Sequence, residues 1–325
     1  MAELSAGKVR RLTALAGEGG VFTILAVDHR DSMRVVLDPD EPRAVPASEL
    51  TGTKLWLLSA LAGGASAVLV DPEYSALQAV ADQTLPGNTP FLCAVESQGY
   101  LGAPDSGAAT LLDGWSVAKA ARLGAAGIKL LILYRPDGAL AAAQHRVVEA
   151  VVADCAREQI PLFLEPVAYG LPGGPPPGTG EFAAQRRRIV CDSARALAAL
   201  GPDVLKVQFP VDAAFDTDRA SWADACEELS EAAGIPWAVL SGGDPFESFL
   251  DQVETACDAG ASGFLVGRSL WGDAVTAPRA MRDAVMADTV RPRLAELCDV
   301  ATARGSDWAL RHSWPAFDEH AYHTF

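Results

Sequence analysis

The sequence predicts an α/β protein closed into a (β/α)8 TIM barrel. Three observations carry that reading. Eight short apolar, β-branched runs alternate with longer Ala/Leu-rich amphipathic stretches, the pattern of parallel strands joined by right-handed crossovers. No linker or shift in composition divides the 325 residues, so 1–325 reads as a single domain. The first apolar run leads into Asp28-His29-Arg30-Asp31-Ser32, without the glycine-rich phosphate loop that usually marks a doubly wound open sheet.

The strand-like runs, in order, are Phe22–Val27, Ala67–Val70, Phe91–Val95, Ile128–Tyr134, Pro161–Val167, Val204–Phe209, Trp237–Leu240 and Gly263–Val266. Each is short, apolar and rich in residues that suit a pleated, buried surface. Helix-like segments lie between them: Glu49–Leu61, Trp115–Leu123, Ala139–Arg157, Ala183–Leu200, Arg219–Ala233 and Pro245–Asp258. Two stretches stand outside the alternation. Residues 171–180, LPGGPPPGTG, follow the fifth strand, have little capacity for regular structure and read as a surface excursion, the alternative being a mobile flap over the barrel mouth. The tail at 307–325 carries Trp308, Trp314, Phe317, Tyr322 and Phe325, which are expected to pack on the barrel or on a second subunit of a homo-oligomer.

Composition excludes several classes of function. The formal net charge is −16, opposite to what nucleic acid or an anionic membrane surface demands. No apolar run approaches the length of a membrane span, and residues 1–18 lack the core of a signal peptide. The six cysteines are scattered with no C-x-x-C pair, which reads as free thiols in a reducing cytoplasm rather than a disulfide frame or zinc site. Of the 26 basic residues only five are lysine: Lys8, Lys54, Lys119, Lys129 and Lys206. Such sparing use suggests that lysine is kept where arginine cannot serve.

Charges inside the strands point to the chemistry. Lys129, Glu165 and Lys206 each interrupt an apolar run that a parallel sheet should bury on both faces. An unpaired buried charge costs several kcal/mol as a rule of thumb, so the three are expected to meet inside the barrel. A lone Lys–Glu pair would simply satisfy itself. A second ammonium repels the first, burial adds to the effect, and a lysine that sheds its proton is a nucleophile toward carbonyls. Spacing does not say which lysine attacks. At the ends of the last two strands, Ser241-Gly242-Gly243 and Gly267-Arg268 suggest an anion site, because barrels often hold phosphate after strands seven and eight.

These stretches together resemble the class I tagatose 1,6-bisphosphate aldolase family, to which sulfofructose-1-phosphate aldolases are closely related. The matching segments are LAVDHR (25–30), LVDPEY (69–74), GIKLLILYRPD (127–137), PLFLEPVAY (161–169), DVLKVQFPV (203–211), LSGG (240–243) and GASGFLVGR (260–268). The resemblance implies a Schiff-base aldolase on a TIM barrel. Its Schiff-base lysine falls on Lys206, its acid/base glutamate on Glu165 and its second active-site lysine on Lys129. The family's Asp-Gln-Arg falls on Asp28, His29 and Arg30, and its phosphate-binding positions on Ser241, Gly242, Gly243, Gly267 and Arg268. His29 stands where the family usually has Gln, and Gln208 where it often has Glu.

On that basis the expected reaction is reversible cleavage of a ketose 1,6-bisphosphate, of tagatose or fructose type, to dihydroxyacetone phosphate and glyceraldehyde 3-phosphate. The alternative is 6-deoxy-6-sulfofructose 1-phosphate, giving sulfolactaldehyde instead. No cofactor and no metal are expected, because His29 is the only histidine at a strand end. A metal-dependent barrel enzyme and a non-catalytic sugar-phosphate binder are the competing readings; the second leaves two buried lysines without a reason.

Overall fold

The computed structural model describes residues 3–97, 107–316, 318–320 and 322. Strands β1 (Phe22–Ala26), β2 (Ala67–Val70), β3 (Phe91–Ala94), β4 (Gly127–Leu133), β5 (Leu162–Val167), β6 (Val204–Gln208), β7 (Trp237–Leu240) and β8 (Gly263–Val266) pair in chain order, and β8 returns to β1. Every pairing is parallel. The fold is the closed (β/α)8 barrel that the alternation predicts.

Helix α1 (Ala6–Leu15) precedes the barrel, α2 (Asp31–Leu37) and α3 (Ala47–Leu61) follow β1, and α4 (Ala76–Ala81) follows β2. Then come α5 (Val117–Leu123), α6 (Ala141–Arg157), α7 (Gly180–Ala198), α8 (Arg219–Ala233) and α9 (Phe246–Asp258), one after each of β3 to β7. After β8 the chain forms α10 (Arg268–Thr276), α11 (Arg282–Val285) and α12 (Arg291–Arg304). Caps move two starts away from the expected ones. Ser116 accepts the Lys119 N–H at 3.2 Å and delays α5, while Thr179 accepts the Phe182 N–H at 3.3 Å and starts α7 at Gly180.

Alternation along the strands sorts the apolar residues into two cores. Phe22, Ile24, Ala26, Leu69, Leu92, Phe163, Val204, Ala238 and Leu265 cluster inside the barrel, where Phe22 of β1 meets Phe163 of β5 edge to face at 5.2 Å. Their strand neighbours, such as Leu25, Val68, Cys93, Leu130, Leu164 and Val239, face the helices. The N-terminal end of the barrel is closed by Leu4, Leu12, Leu15 and Trp308, all buried with the inner cluster. Beside them Lys8 donates to both oxygens of Asp203 at 2.9 and 2.8 Å, and Asp203 also takes the Leu162 N–H at 2.8 Å.

In the tail, Trp314 lies 5.8 Å from Trp308, centroid to centroid, and the Ser313 carbonyl accepts the Leu4 N–H at 2.8 Å. Tyr322 is exposed. Phe317 and Phe325 lie outside the described residues.

Inside the barrel, the next inward position toward the C-terminal end changes character. Ala26 is followed by Asp28, Ala94 by Glu96, Phe163 by Glu165 and Val204 by Lys206, and all four charged residues are buried. Period two therefore stacks a charged layer on the apolar one.

Barrel closure depends on Gly263. Its φ is +115°, and a Cβ there would lie 2.1 Å from the Phe22 carbonyl oxygen of the adjoining strand. Gly263→Ala is expected to lower stability by about 2–4 kcal/mol, measured by urea unfolding. A loss below about 0.5 kcal/mol would show that β1 and β8 separate at little cost.

Candidate active site

The charged layer forms one hydrogen-bonded cluster. Lys129 Nζ reaches Asp28 Oδ2 at 2.9 Å, Glu96 Oε1 at 2.7 Å and Glu165 Oε2 at 3.0 Å. Lys206 Nζ donates to that same Glu165 oxygen at 2.9 Å. Strand register produces this meeting: Leu131 of β4 is level with Glu165 of β5, and Leu164 with Leu205 of β6. The three residues that the sequence marks do meet. Their company is larger than expected, since Asp28 and Glu96 also neutralise Lys129 and the cluster is not two cations sharing a single carboxylate. Burial alone would push Asp28 up, yet Lys129 and Lys206 together hold its carboxyl well below the usual range.

Arg30 and the β2 end flank this cluster. Arg30 donates to Glu73 Oε2 at 2.9 Å and to the Glu96 carbonyl at 3.0 Å. Lys54 of α3 pairs with Asp71 behind it, with no exposure of either residue. Burial pulls the Lys54 ammonium down against the attraction of Asp71. Sequence reasoning missed both Glu96 and the Lys54–Asp71 pair. Stepping by two from Leu92 through Ala94 would have placed Glu96 inside the barrel. Lysine usage is itself informative: Lys8, Lys54, Lys129 and Lys206 are all buried, and each is ion-paired.

The mouth holds a cavity of about 260 Å³ between Lys206 and Arg268, walled by Glu165, Gln208, Ser241, Gly242, Gly243 and Gly267 among others. A smaller lobe of about 50 Å³ extends toward Asp28, Arg30, Glu96 and Lys129. His29, Ser32, Glu165 and Lys206 line both lobes. Residues 171–180 line neither. Gln208 Oε1 accepts the Ala168 N–H at 2.8 Å and so ties the end of β6 to the end of β5.

The turn after β7 and the start of α10 are not a simple ring of free N–H groups. Gly242 and Gly243 take φ values of +61° and +101°, and the turn closes on itself, with the Gly243 N–H donated to Ser241 O at 2.6 Å. Arg268, at the N-terminus of α10, donates from Nη2 to Gly242 O at 2.9 Å, while its Nε is buried without a partner among the described residues. Gly267 is small for a second reason. A Cβ there would lie 2.5 Å from His29 Cε1, because the imidazole is wedged between Gly267 and Trp271, whose ring meets it edge-on at 5.2 Å.

A barrel whose inward lysine and glutamate share a proton-bearing contact at the mouth is the setting for carbonyl chemistry, and comparison with known proteins agrees. The family model described as DeoC/LacD family aldolase matches residues 22–273. The chain belongs to the DeoC/LacD aldolase family. Among its relatives, tagatose 1,6-diphosphate aldolase 1 of Enterococcus faecalis is 29% identical over 289 residues, covering 85% of this chain and 87% of that one. Tagatose 1,6-diphosphate aldolase 2 of the same organism is 28% identical over 334 residues, covering 95% and 97%. A solved archaeal fructose-1,6-bisphosphate aldolase shares the fold with a TM-score of 0.59 at 20% identity, over 90% of this chain and 98% of that chain.

In this aldolase His29 is neutral at pH 7. Burial is the main cause; Arg268 and Lys206 add to it, Asp28 opposes it, and the ring is held down at about 3 from an ordinary 6.5. Between those two values the unfolded chain binds the proton and the folded one does not, so stability falls as pH falls. At about 1.4 kcal/mol per unit, acidification from the ordinary value to pH 5 costs at most about 2 kcal/mol, less for a ring that keeps some exposure. His29→Gln is therefore expected to lose about 1–2 kcal/mol less than the wild type between pH 7 and pH 5, by urea unfolding. Equal losses in both proteins would place that pH dependence elsewhere.

Proposed function

We propose that this aldolase works through a Schiff base on Lys206 and cleaves a ketose 1,6-bisphosphate, of tagatose or fructose type, to dihydroxyacetone phosphate and glyceraldehyde 3-phosphate. The observation that carries the reading is the buried Lys206 Nζ, 2.9 Å from Glu165 Oε2 at the junction of the two lobes. The names of the curated relatives support the substrate class, and favour it over the sulfofructose 1-phosphate alternative. The archaeal neighbour was solved with its catalytic Lys covalently bound to the carbinolamine intermediate of the substrate, which supports the covalent step.

The chemistry then runs as follows. Lys206 passes a proton to Glu165 and attacks the C2 ketone, giving a carbinolamine. Glu165 returns a proton to the departing hydroxyl, water leaves, and the iminium becomes the electron sink for the C3–C4 bond. Glu165 next takes the proton of the C4 hydroxyl as that bond breaks and the aldehyde departs. The enamine on Lys206 is protonated at C3 and hydrolysed to release dihydroxyacetone phosphate. Lys129 places its positive charge beside Lys206 and Glu165, and it bonds a substrate hydroxyl where that hydroxyl displaces one of its three carboxylate contacts. The 1-phosphate lies in the larger lobe against Ser241, Gly242, Gly243, Gly267 and Arg268, with the dipole of α10 behind it. Arg30 meets the distal anion, and Glu73, a third exposed, is the partner that gives way. Asp28 and His29 complete the wall around the reacting carbons. The six free cysteines suit a reducing cytoplasm.

Lys206→Met is expected to abolish cleavage while keeping the thermal midpoint, because an apolar side chain of similar length fills the slot. Borohydride with substrate should add mass to Lys206 in the wild type, and turnover should survive EDTA. Mass on Lys129 instead, or activity lost to EDTA and restored by a divalent ion, would refute the assignment.

Arg268→Ala is expected to cost on the order of 2–5 kcal/mol in transition-state binding, since an Arg–phosphate contact is charge-assisted and often bidentate. That is roughly a 30- to several-thousand-fold fall in kcat/KM. Arg268→Lys should recover only part, because a point charge lacks the planar fork. If Arg268→Ala stays within about threefold of wild type, the phosphate is held elsewhere.

A further inference from the structure

We infer that Glu96 is a positioning residue of this reaction, acting through Lys129. The inference rests on the Schiff-base reading above and deepens it. Glu96 is 5% exposed, and each of its carboxylate oxygens is engaged by a different strand position. Oε1 accepts from Lys129 Nζ at 2.7 Å, the shortest of that ammonium's three carboxylate contacts among the described residues, and Oε2 accepts the Leu131 N–H at 3.2 Å. Both partners are donors, so the site needs an acceptor on each side. A carboxylate provides two; an amide provides one and would set its NH2 against either Lys129 or the Leu131 N–H.

The consequence reaches the reacting groups. Lys129 has three N–H bonds, and Asp28, Glu96 and Glu165 stand at 2.9, 2.7 and 3.0 Å from its nitrogen. Glu165 Oε2 is also the oxygen that Lys206 uses, at 2.9 Å. Holding Lys129 from the far side, Glu96 fixes how that one oxygen is divided between the two lysines. Without the Glu96 charge, Lys129 leans on Glu165 and withdraws it from proton exchange with Lys206. Glu96 also contacts Arg30, through its carbonyl at 3.0 Å and its carboxylate at 3.6 Å, which offers a separate route to the substrate's distal end. The two routes part in the kinetics: action through Lys129 appears in kcat, action through Arg30 in KM.

The experiment compares the wild type with Glu96→Gln, Glu96→Asp, Lys129→Met and the Glu96→Gln/Lys129→Met double variant. Each is assayed for kcat and KM with the ketose bisphosphate and for its thermal midpoint. Borohydride capture of dihydroxyacetone phosphate on Lys206 gives a rate where turnover is too slow to follow. Glu96→Gln is expected to lower kcat roughly 10- to 100-fold with KM within about threefold, as a displaced catalytic group does. Glu96→Asp should restore part of kcat. In the Lys129→Met background the Gln substitution should change the rate by less than about threefold, because its route of action is already gone. Additive losses in the double variant, a raised KM at unchanged kcat, or a kcat loss matched by loss of folded protein would each overturn the inference. Absence of capture on Lys206 in the wild type would instead overturn the Schiff-base reading on which it rests.

Discussion

Charge placed inside a barrel has to be neutralised within reach of a side chain, and that constraint organises the upper half of this molecule. Lys129 of β4 is met by Asp28 just past the end of β1, Glu96 just past the end of β3 and Glu165 within β5, so the ends of four strands are tied at one nitrogen. Replacing such a cluster by apolar residues would not cost stability as a rule, since desolvation takes back most of the Coulombic gain. The cluster is therefore better explained by what it holds in place than by what it adds to stability. It presents Lys206 and Glu165 to a cavity while each charge of the cluster keeps an opposite partner within 3.0 Å.

The same economy governs the other buried lysines. Lys8 on Asp203 helps to fasten α1 beneath the barrel, and Lys54 on Asp71 anchors α3 to the end of β2. Asp71 in turn accepts the backbone N–H groups of Glu73 and Tyr74 at 3.0 and 2.9 Å, which shapes the turn that carries Glu73 to Arg30. Of the arginines among the described residues only Arg30 and Arg135 are buried, whereas four of the five lysines are, which suits a compact point charge that must fit a narrow interior. Arg268 is the complementary case, a planar donor set at the rim where an anion can use its fork.

His29 joins packing to electrostatics. Its ring fills the space that Gly267 leaves open against Trp271, and the surrounding burial keeps it neutral. A neutral ring between Lys206 and Arg268 adds no third positive charge to that wall. It also gives the glycine a role in shape, beside the close approach of an anion that the sequence suggests.

The sequence by itself determined the barrel, because eight strand-length apolar runs separated by helix-length amphipathic ones have few other ways to bury both faces of a parallel sheet. It also marked Lys129, Glu165 and Lys206, since a charge in an apolar run stands out in one dimension. Glu96 and Asp71 did not stand out, because a carboxylate at the end of a strand looks like any solvated turn residue. Lys54 did not either, because it sits on a helix whose neighbours vary in polarity. Only the closed barrel decided that these groups face inward and that Glu165 serves two lysines at once. Which donors oppose which acceptors is fixed by register across strands far apart in sequence, and a linear pattern carries period but not register.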